Sequence, residues 1–477
     1  MSTTIEPALL RSRPLAEVVE IVSGFGFPKE LQGKSSGDLP FFKVGDISAA
    51  WNSGQKKLIQ AQHYLDRSEA SVIKAKAFPS GTVVFAKIGE AIKLNRRAIL
   101  GQPSIVDNNV MGLVPKEGVV DPNYLFYWTL MLRLGDISQA TTVPSVRKSD
   151  VEQLAFPWLP IDQQKRIVAE IEKQFSRLDE AVANLKRVKA NLKRYKAAVL
   201  KAAVEGRLVE TEAEIARREG RSYETGEQLL QRILKTRRSQ WQGKGKYKEP
   251  AAPDTTALPE LPEGWVWATV EQLNLSNRPC AYGVLQPGDD MADGIPFVRV
   301  GDIDDGRIDL TTLKRISPKI AAQYPRTKLI GGEFLITLVG AIGRTALVPE
   351  TLAGANVARA VGVVPLADAL NARWVEFWFR NPAKVIEMTS KSHEVARKTL
   401  NLEDVRAASV AVPPLAEQHL IVAEVDRRLS ILRETEAQVD ANLQHAERLR
   451  QSILERAYSG DRDRIYAVNM EPSELPL

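Results

Sequence analysis

The sequence predicts an α+β chain of two duplicated globular domains, mostly β with a few helices. Each domain is followed by one long helix, and the two helices pair as an antiparallel coiled coil with a pseudo-twofold axis. Two observations carry this expectation. Residues 160–206 read as a single helix with a narrow apolar stripe, and residues 414–460 repeat it without a gap. The globular stretches ahead of these helices also repeat each other, and an internal repeat has to be settled before any other feature of a fold.

The first helix has clear ends. Pro160 stands at its entry, where a missing N–H costs little, and Asp162 places a carboxylate in the first turn, where it suits the helix dipole. No Pro or Gly follows until Gly206, which can adopt the left-handed C-cap conformation. Ile171, Leu178, Leu185, Leu192 and Val199 recur every seven residues, with Val168, Phe175 and Val182 beside them. A stripe this narrow on a charged helix predicts a coiled-coil seam. In the second copy, from Pro414 to Gly460, the seam is Val425, Leu432, Val439, Ala446 and Ile453, flanked by Val422, Leu429 and Leu443. Lys189, Lys196, Glu436 and Arg450 interrupt the seam, and polar seam residues can fix register.

The predicted order is residues 1–158 for the first domain, 159–206 for the first helix and 207–262 for a connecting helix and linker. Residues 263–412 form the second domain, 413–460 the second helix and 461–477 a tail. In the first domain, Val18–Val22, Phe41–Val44, Thr82–Ile88, Ala98–Leu100 and Val110–Val114 read as short strands. A helix is expected from Pro122 to Leu134, opened by Asp121. The second domain returns LPFFKVGDI (39–47) as IPFVRVGDI (295–303), TVVFAKIG (82–89) as EFLITLVG (333–340), and Tyr124 and Trp128 as Trp374 and Trp378. Between these anchors the halves diverge, and variable loops on a kept scaffold are where binding residues are carried. The connection holds a charged segment, an amphipathic helix from about Tyr223 to Trp241, and a stretch rich in Gly, Lys and Pro that reads as an exposed linker. Arg237, Arg238, Lys244, Lys246 and Lys248 there could touch phosphates, although a solvated linker is the simpler account.

The 477 residues carry a net charge of +6, too mild by itself to single out nucleic acid. A single cysteine, Cys280, excludes an intramolecular disulfide and fits a reducing compartment. The first residues lack the apolar core of a secretory signal, and no run approaches a membrane span, so a cytoplasmic location is expected. There is no phosphate-binding loop and no methyltransferase Asn-Pro-Pro-aromatic motif. GFGFP (24–28) opens no helix, and no Cys/His spacing suggests a metal site. No catalytic residues and no bound metal are therefore expected. Basic and amide side chains instead gather in the divergent loops. These are Lys43, Lys93, Asn95, Arg96, Arg97, Arg147 and Lys148 in the first domain, and Arg299, Arg344, Lys391, Arg397 and Lys398 in the second. Arg and Lys suit phosphates and guanine edges, and Asn suits adenine, so these are the candidate DNA-binding residues.

Two variable globular units, each followed by a long helix opened by Pro-x-x-x-Gln, resemble the specificity subunit of Type I DNA restriction–modification systems. The resemblance spans nearly the whole chain and rests on VGDI (44–47 and 300–303), PEGW (262–265) and PPLAEQHLIVAEVD (413–426). The first half departs from the pattern: Leu159-Pro160 stands for Pro-Pro, and the PxGW opening is missing. The resemblance implies two target recognition domains reading a bipartite, asymmetric site on double-stranded DNA, with the coil docking two methyltransferase subunits. Those subunits would bring S-adenosylmethionine. A restriction subunit using ATP and Mg is a further partner where the system has one. The chain itself would be non-catalytic and hold no cofactor. Two other classes fit the same features: a coiled-coil protein–protein adapter with duplicated binding domains, and a standalone nuclease with an unfamiliar site.

Overall fold

The computed structural model describes residues 11–139, 143–243, 245–391, 393–394 and 398–459. It divides into two compact units, residues 1–186 with 440–477, and residues 187–439. The first long helix runs from Ile161 to Val204 and the second from Leu415 to Tyr458, 44 residues each. At about 1.5 Å per residue each is roughly 66 Å long. Gly206 ends the first helix at φ +67, and a Cβ there would lie 2.5 Å from Pro262 Cγ, so conformation and space both require glycine.

Inside each unit the helices pair antiparallel. In the first unit Ile167, Ile171, Phe175 and Leu178 share a core with Ala446, Ile453, Leu454 and Ala457. In the second, Val199, Leu200 and Ala203 share one with Ile421, Val425, Leu429 and Leu432. Most of the expected seam is buried, but Leu185 and Leu192 are only half-buried. Domain aromatics complete the cover at the buried positions: Tyr127 lies 5.7 Å from Phe175 and Tyr124 4.8 Å from Tyr458, ring to ring. The apolar stripe thus serves a domain as well as a partner helix. Of the polar interruptions, Arg450 pairs across the helices with Asp179 and lies over the Phe175 ring, as a register-fixing residue should. Lys196 instead pairs with Asp305 of the second globular domain.

The globular parts repeat the same plan of one larger and one smaller sheet. In the first unit a five-stranded sheet has the spatial order Val19–Ser23, Val110–Pro115, Val83–Ala86, Arg97–Leu100, Lys57–Leu58, and a three-stranded sheet the order His63–Leu65, Leu39–Phe42, Ile105–Val106. In the second unit the larger sheet is Ala281–Tyr282, Val361–Val364, Phe334–Thr337, Thr345–Leu347, and the smaller is Lys314–Ile316, Ile295–Val298, Asn356–Val357. Each smaller sheet has one parallel pair, Phe41 against Ile105 and Phe297 against Asn356. A two-stranded clasp closes each domain, Arg11–Pro14 on Ala155–Trp158 and Val266–Thr269 on Ser409–Val412.

Several expectations shift in detail. The strand expected at Phe41–Val44 stops at Phe42, because Val44–Asn52 is helical and the Lys43 N–H donates to the Asp46 carboxylate at 2.7 Å. The Arg299 N–H does the same to Asp302 at 2.8 Å, which accounts for the aspartate of the repeated VGDI. The helix from Pro122 ends at Met131. The charged segment after the first long helix folds into a helix, Glu212–Glu219, capped by Thr211 and ended by Gly220 at φ +68. A second connector helix, Gly226–Ser239, buries Leu229, Leu230 and Ile233 in the core of the second unit. Arg237 is drawn inward there, donating to Asn274 O at 2.6 Å and to Glu271 at 2.8 Å, while Arg238 pairs with Glu249. Neither is a free phosphate contact, and Lys244 lies outside the described residues.

Candidate nucleic-acid interface

Both domains build the same edge from two distant segments. In the first, the strand Val83–Ala86 runs on into Lys87-Ile88-Gly89, where Gly89 has φ +83. The Gly89 N–H donates to Pro144 O at 2.8 Å and the Val146 N–H to Lys87 O at 2.9 Å. This brings the turn carrying Lys93 and Arg96 beside the loop carrying Arg147 and Lys148. In the second, the strand Phe334–Thr337 runs on to Gly340 at φ +80, and the Leu400 N–H donates to Leu338 O at 2.8 Å. Ile88 bridges Ser145, and Val339 bridges Thr399. The turn carrying Arg344 therefore adjoins the segment carrying Lys398, as in the first domain.

Strand register refines the correspondence. Phe85 pairs with Arg97 and Ile336 with Thr345, each four residues before the turn glycine. Arg96 and Arg344 are thus equivalent, each preceding the returning strand. Arg96 is half-exposed. Arg344 is exposed, its Nη1 donating to Ile303 O at 3.2 Å and lying 3.7 Å from Asp304. The second loop corresponds less closely: Ser145 matches Thr399, so Arg147 and Lys148 stand opposite Asn401 and Leu402 rather than opposite basic residues.

The remaining candidates divide by environment. Arg97 is fully buried, donating to Asn95 O at 2.6 Å and to Leu132 O, and burial pulls its guanidinium down to about 9. It cannot reach a ligand as placed; it holds the turn to the end of the aromatic helix. Asn95, at φ +54, is likewise structural, its Oδ1 accepting from Leu134 N at 2.9 Å. Lys43 donates to Gln32 at 2.8 Å over the Phe27 ring, and Arg299 grips Asp302 and Thr312 O, both at the smaller sheets rather than at the turns. Lys93, Lys148 and Lys391 are exposed and paired locally with Glu90, Glu152 and Glu387. Such surface pairs contribute little and yield readily to a phosphate. Arg147 and Lys398 are exposed, and Arg397 lies outside the described residues.

The structure adds residues the sequence reading passed over. Lys87 lies on the pairing edge, its ammonium lowered by burial against the pull of Asp107. Ile88, Leu94 and Val143 are large apolar side chains exposed at the same edge. Apolar side chains there suit a thymine methyl. Gly24 and Gly283 are equivalent close approaches: a Cβ would lie 1.9 Å from Asp107 O in one and 2.1 Å from Val357 O in the other. That crowding explains the first glycine of GFGFP, Gly24, without a nucleotide.

A buried glutamine fastens each domain to its helix. Gln164 accepts from Asp121 N at 2.9 Å and donates to Val119 O at 2.9 Å and Leu159 O at 2.6 Å. Gln418 accepts from Asn371 N at 3.0 Å and donates to Pro413 O at 2.9 Å. Both have no exposed surface. Asp121 and Asn371 are themselves the N-caps of the aromatic helices, which explains the glutamine of Pro-x-x-x-Gln. In the second unit Asp305 joins Lys196 of the long helix to Arg380. Burial raises its carboxyl, but these two cations outweigh that and leave it below the usual range. Among the described residues no group of three or more His, Cys, Asp or Glu is placed to hold a metal ion, and no helix is long and apolar enough to cross a membrane.

Comparison with known proteins agrees with this architecture. Residues 10–194 match the family model for the Type I restriction modification DNA specificity domain. The chain is 29% identical over 453 residues to the Type I restriction enzyme EcoBI specificity subunit of Escherichia coli, spanning 93% of this chain and 84% of that one. It is 22% identical to the EcoKI specificity subunit of Escherichia coli (strain K12), spanning 83% and 82%. A solved structure, described as the basis of complex assembly and conformational transition of the type I R-M system, shares the fold. Its TM-score is 0.64 at 17% identity, covering 95% of this chain and 99% of that one. In its duplicated domains and paired helices the chain is thus similar to the specificity subunits of Type I restriction–modification systems, and residues 10–194 match the model of their DNA specificity domain.

Proposed function

We propose that the chain is the non-catalytic DNA-reading subunit of a Type I restriction–modification complex, with each domain reading one part of a bipartite, asymmetric site. The observation that supports this most is the twice-built edge. In both copies a glycine-ended strand and a distant loop are joined by backbone hydrogen bonds, so that Arg96 and Arg344 stand at equivalent turns beside further exposed cations. Scaffold residues recur while the residues at the edge differ, as two different half-sites require. Arg96, Arg147 and Arg344 are the base-reading candidates, and Lys93, Lys148 and Lys398 the phosphate-contacting ones.

The paired helices are the docking platform for two methyltransferase subunits, which supply S-adenosylmethionine and the adenine-methylating site. A restriction subunit, where present, brings ATP and Mg. We place the assembly in the cytoplasm, in keeping with the single, half-buried Cys280. Arg344→Ala should weaken specific binding of the methyltransferase complex by about 1–3 kcal/mol and relax one position of the site. Lys246→Ala, in the exposed connection, should at most lose one phosphate contact. Mapping methylated adenines in a random DNA library reads both effects, and equal small losses would refute the placement. A salt-dependent gel shift on duplex DNA separates this function from a protein adapter.

A further inference from the structure

After the repeated VGDI the two copies part. In the first domain Val44–Asn52 forms a helix, whereas in the second the chain turns back at once as the hairpin Ile303–Asp304 on Arg307–Ile308. Asp305 at φ +48 and Gly306 at φ +78 make its two-residue turn. A lone two-stranded hairpin is marginal, so this one depends on what holds it. The sheet holds one side: Gly306 bridges Ala346, in the strand that follows Arg344. Charge holds the tip. The Asp305 carboxylate accepts from Lys196 of the first long helix and from Arg380 of the aromatic helix Ala372–Arg380. Arg380 stands 3.2 Å from Glu376, which has no exposed surface. Arg373 in turn joins Glu376 to Asp426 of the second long helix, the latter at 2.8 Å. A Cβ on Gly306 would lie 2.2 Å from Glu376 Oε1, so the tip is pressed against this network. Counting from Tyr124 and Trp374, the first domain has Phe126 and Leu130 at the places of Glu376 and Arg380. Arg450, which matches Lys196 in the second copy of the long helix, pairs with Asp179 instead. The mooring is thus a feature of the second domain.

The hairpin also touches the reading turn. Arg344 Nη1 donates to Ile303 O at 3.2 Å, with Asp304 3.7 Å away, and the Arg344 backbone N–H donates to Thr337 Oγ1 at 2.9 Å. A guanidinium has five N–H donors, so this bond to Ile303 leaves a pair for a guanine edge. An exposed arginine loses rotamer freedom when it grips a base, and holding it in place beforehand lowers that cost. We propose that Asp305 is a positioning residue for Arg344: by tying the hairpin to the long helices it holds the Ile303 carbonyl where it aims the guanidinium at one base pair of the second half-site. This rests on the DNA-reading function proposed above. Asp305 touches no base; it acts through the hairpin.

The test is Asp305→Gly in the full chain assembled with its methyltransferase partner. Glycine accepts the positive φ and removes the carboxylate, and circular dichroism checks the fold. Affinity is measured at one salt concentration for the cognate duplex and for duplexes carrying each single base change in either half-site. Discrimination at one position of the second half-site should fall by about fivefold, the low end of what a bidentate arginine supplies. The first half-site and the affinity for unrelated duplex should stay as they are. In an Arg344→Ala background Asp305→Gly should relax nothing further, because the two residues act as a unit. Lys196→Gln cuts the same link from the helix without touching the hairpin, and should give the same pattern more weakly. Its full discrimination overturns the proposal even where Asp305→Gly fails to fold. Losses spread over both half-sites, or losses that add to those of Arg344→Ala, also overturn it and leave Asp305 a structural residue only. An Arg344→Ala complex that relaxes no position would instead overturn the underlying reading.

Discussion

The buried glutamine that opens each long helix should behave as a latch between helix and domain. Gln164→Leu keeps approximate size and removes three hydrogen bonds, leaving the Asp121 N–H and the Val119 and Leu159 carbonyls without partners. Gln164 has no exposed surface and Leu159 is 1% exposed, so water cannot reach the Leu159 carbonyl without rearrangement, whereas Val119 and Asp121 are half-buried and can be partly rehydrated. At roughly 1–3 kcal/mol for each unsatisfied group, and allowing for partial relaxation, the variant should lose about 2–5 kcal/mol. With a urea slope of about 3 kcal/mol per molar, the midpoint of the first unit should fall by roughly 1 M. Hydrogen exchange at Asp121 to Tyr124 localises the effect. Gln164→Glu should be worse at neutral pH, since a buried carboxylate would face two carbonyls. Its folded-state pKa would rise above the unfolded value, so stability is retained at low pH and lost as pH climbs through the folded value. The neighbouring Gln163→Leu is the control, because the Gln163 Oε1 is buried without a partner and its removal should cost almost nothing. A loss below about 0.5 kcal/mol in Gln164→Leu, or equal losses at both positions, would refute the latch.

Leu178→Asp with Leu432→Asp should break the helix pairing, since each leucine is buried and contributes about 1.5–3 kcal/mol before the penalty for a buried charge. Co-purification with the methyltransferase subunit should fall before the domains unfold, and unchanged co-purification would count against the docking role. Glu417, fully buried, accepts from Glu212 N at 3.0 Å and Trp265 Nε1 at 2.9 Å, and burial pushes its carboxyl up to about 7. A raised folded-state value means its favourable contribution is present at low pH and lost as pH rises through about 7. Glu417→Gln, which copies the residue at Gln163 in the first helix, should therefore gain on the wild type between pH 6 and 8. Parallel urea midpoints at both pH values would remove the argument.

The sequence by itself determined the long helices, their ends and the duplication, because these depend on short-range periodicity, capping residues and repeated motifs. Pro160 and Gly206 bracket the observed Ile161–Val204, and most of the seam residues are buried in the helix pairing, with Leu185 and Leu192 only half-buried. The VGDI and Pro-x-x-x-Gln motifs were visible as patterns, but their purpose was not. Asp46 reaches a backbone N–H three residues back, while Gln164 reaches a carbonyl and an N–H more than forty residues away, and only the folded chain brings those together. The candidate interface shows the same division. A run such as Lys93 to Arg97 announces charge, but which side chains face outward depends on strand register and on what lies behind the strand. Tertiary packing turned Arg97 inward to Leu132 O and left Arg96 beside it half-exposed. It joined the Gly89 turn to Pro144 and the Gly340 turn to the Thr399 segment. It also gave Lys196, a seam position by spacing, to Asp305 of a domain, because a cation at a helix edge pairs with the nearest carboxylate whichever element supplies it.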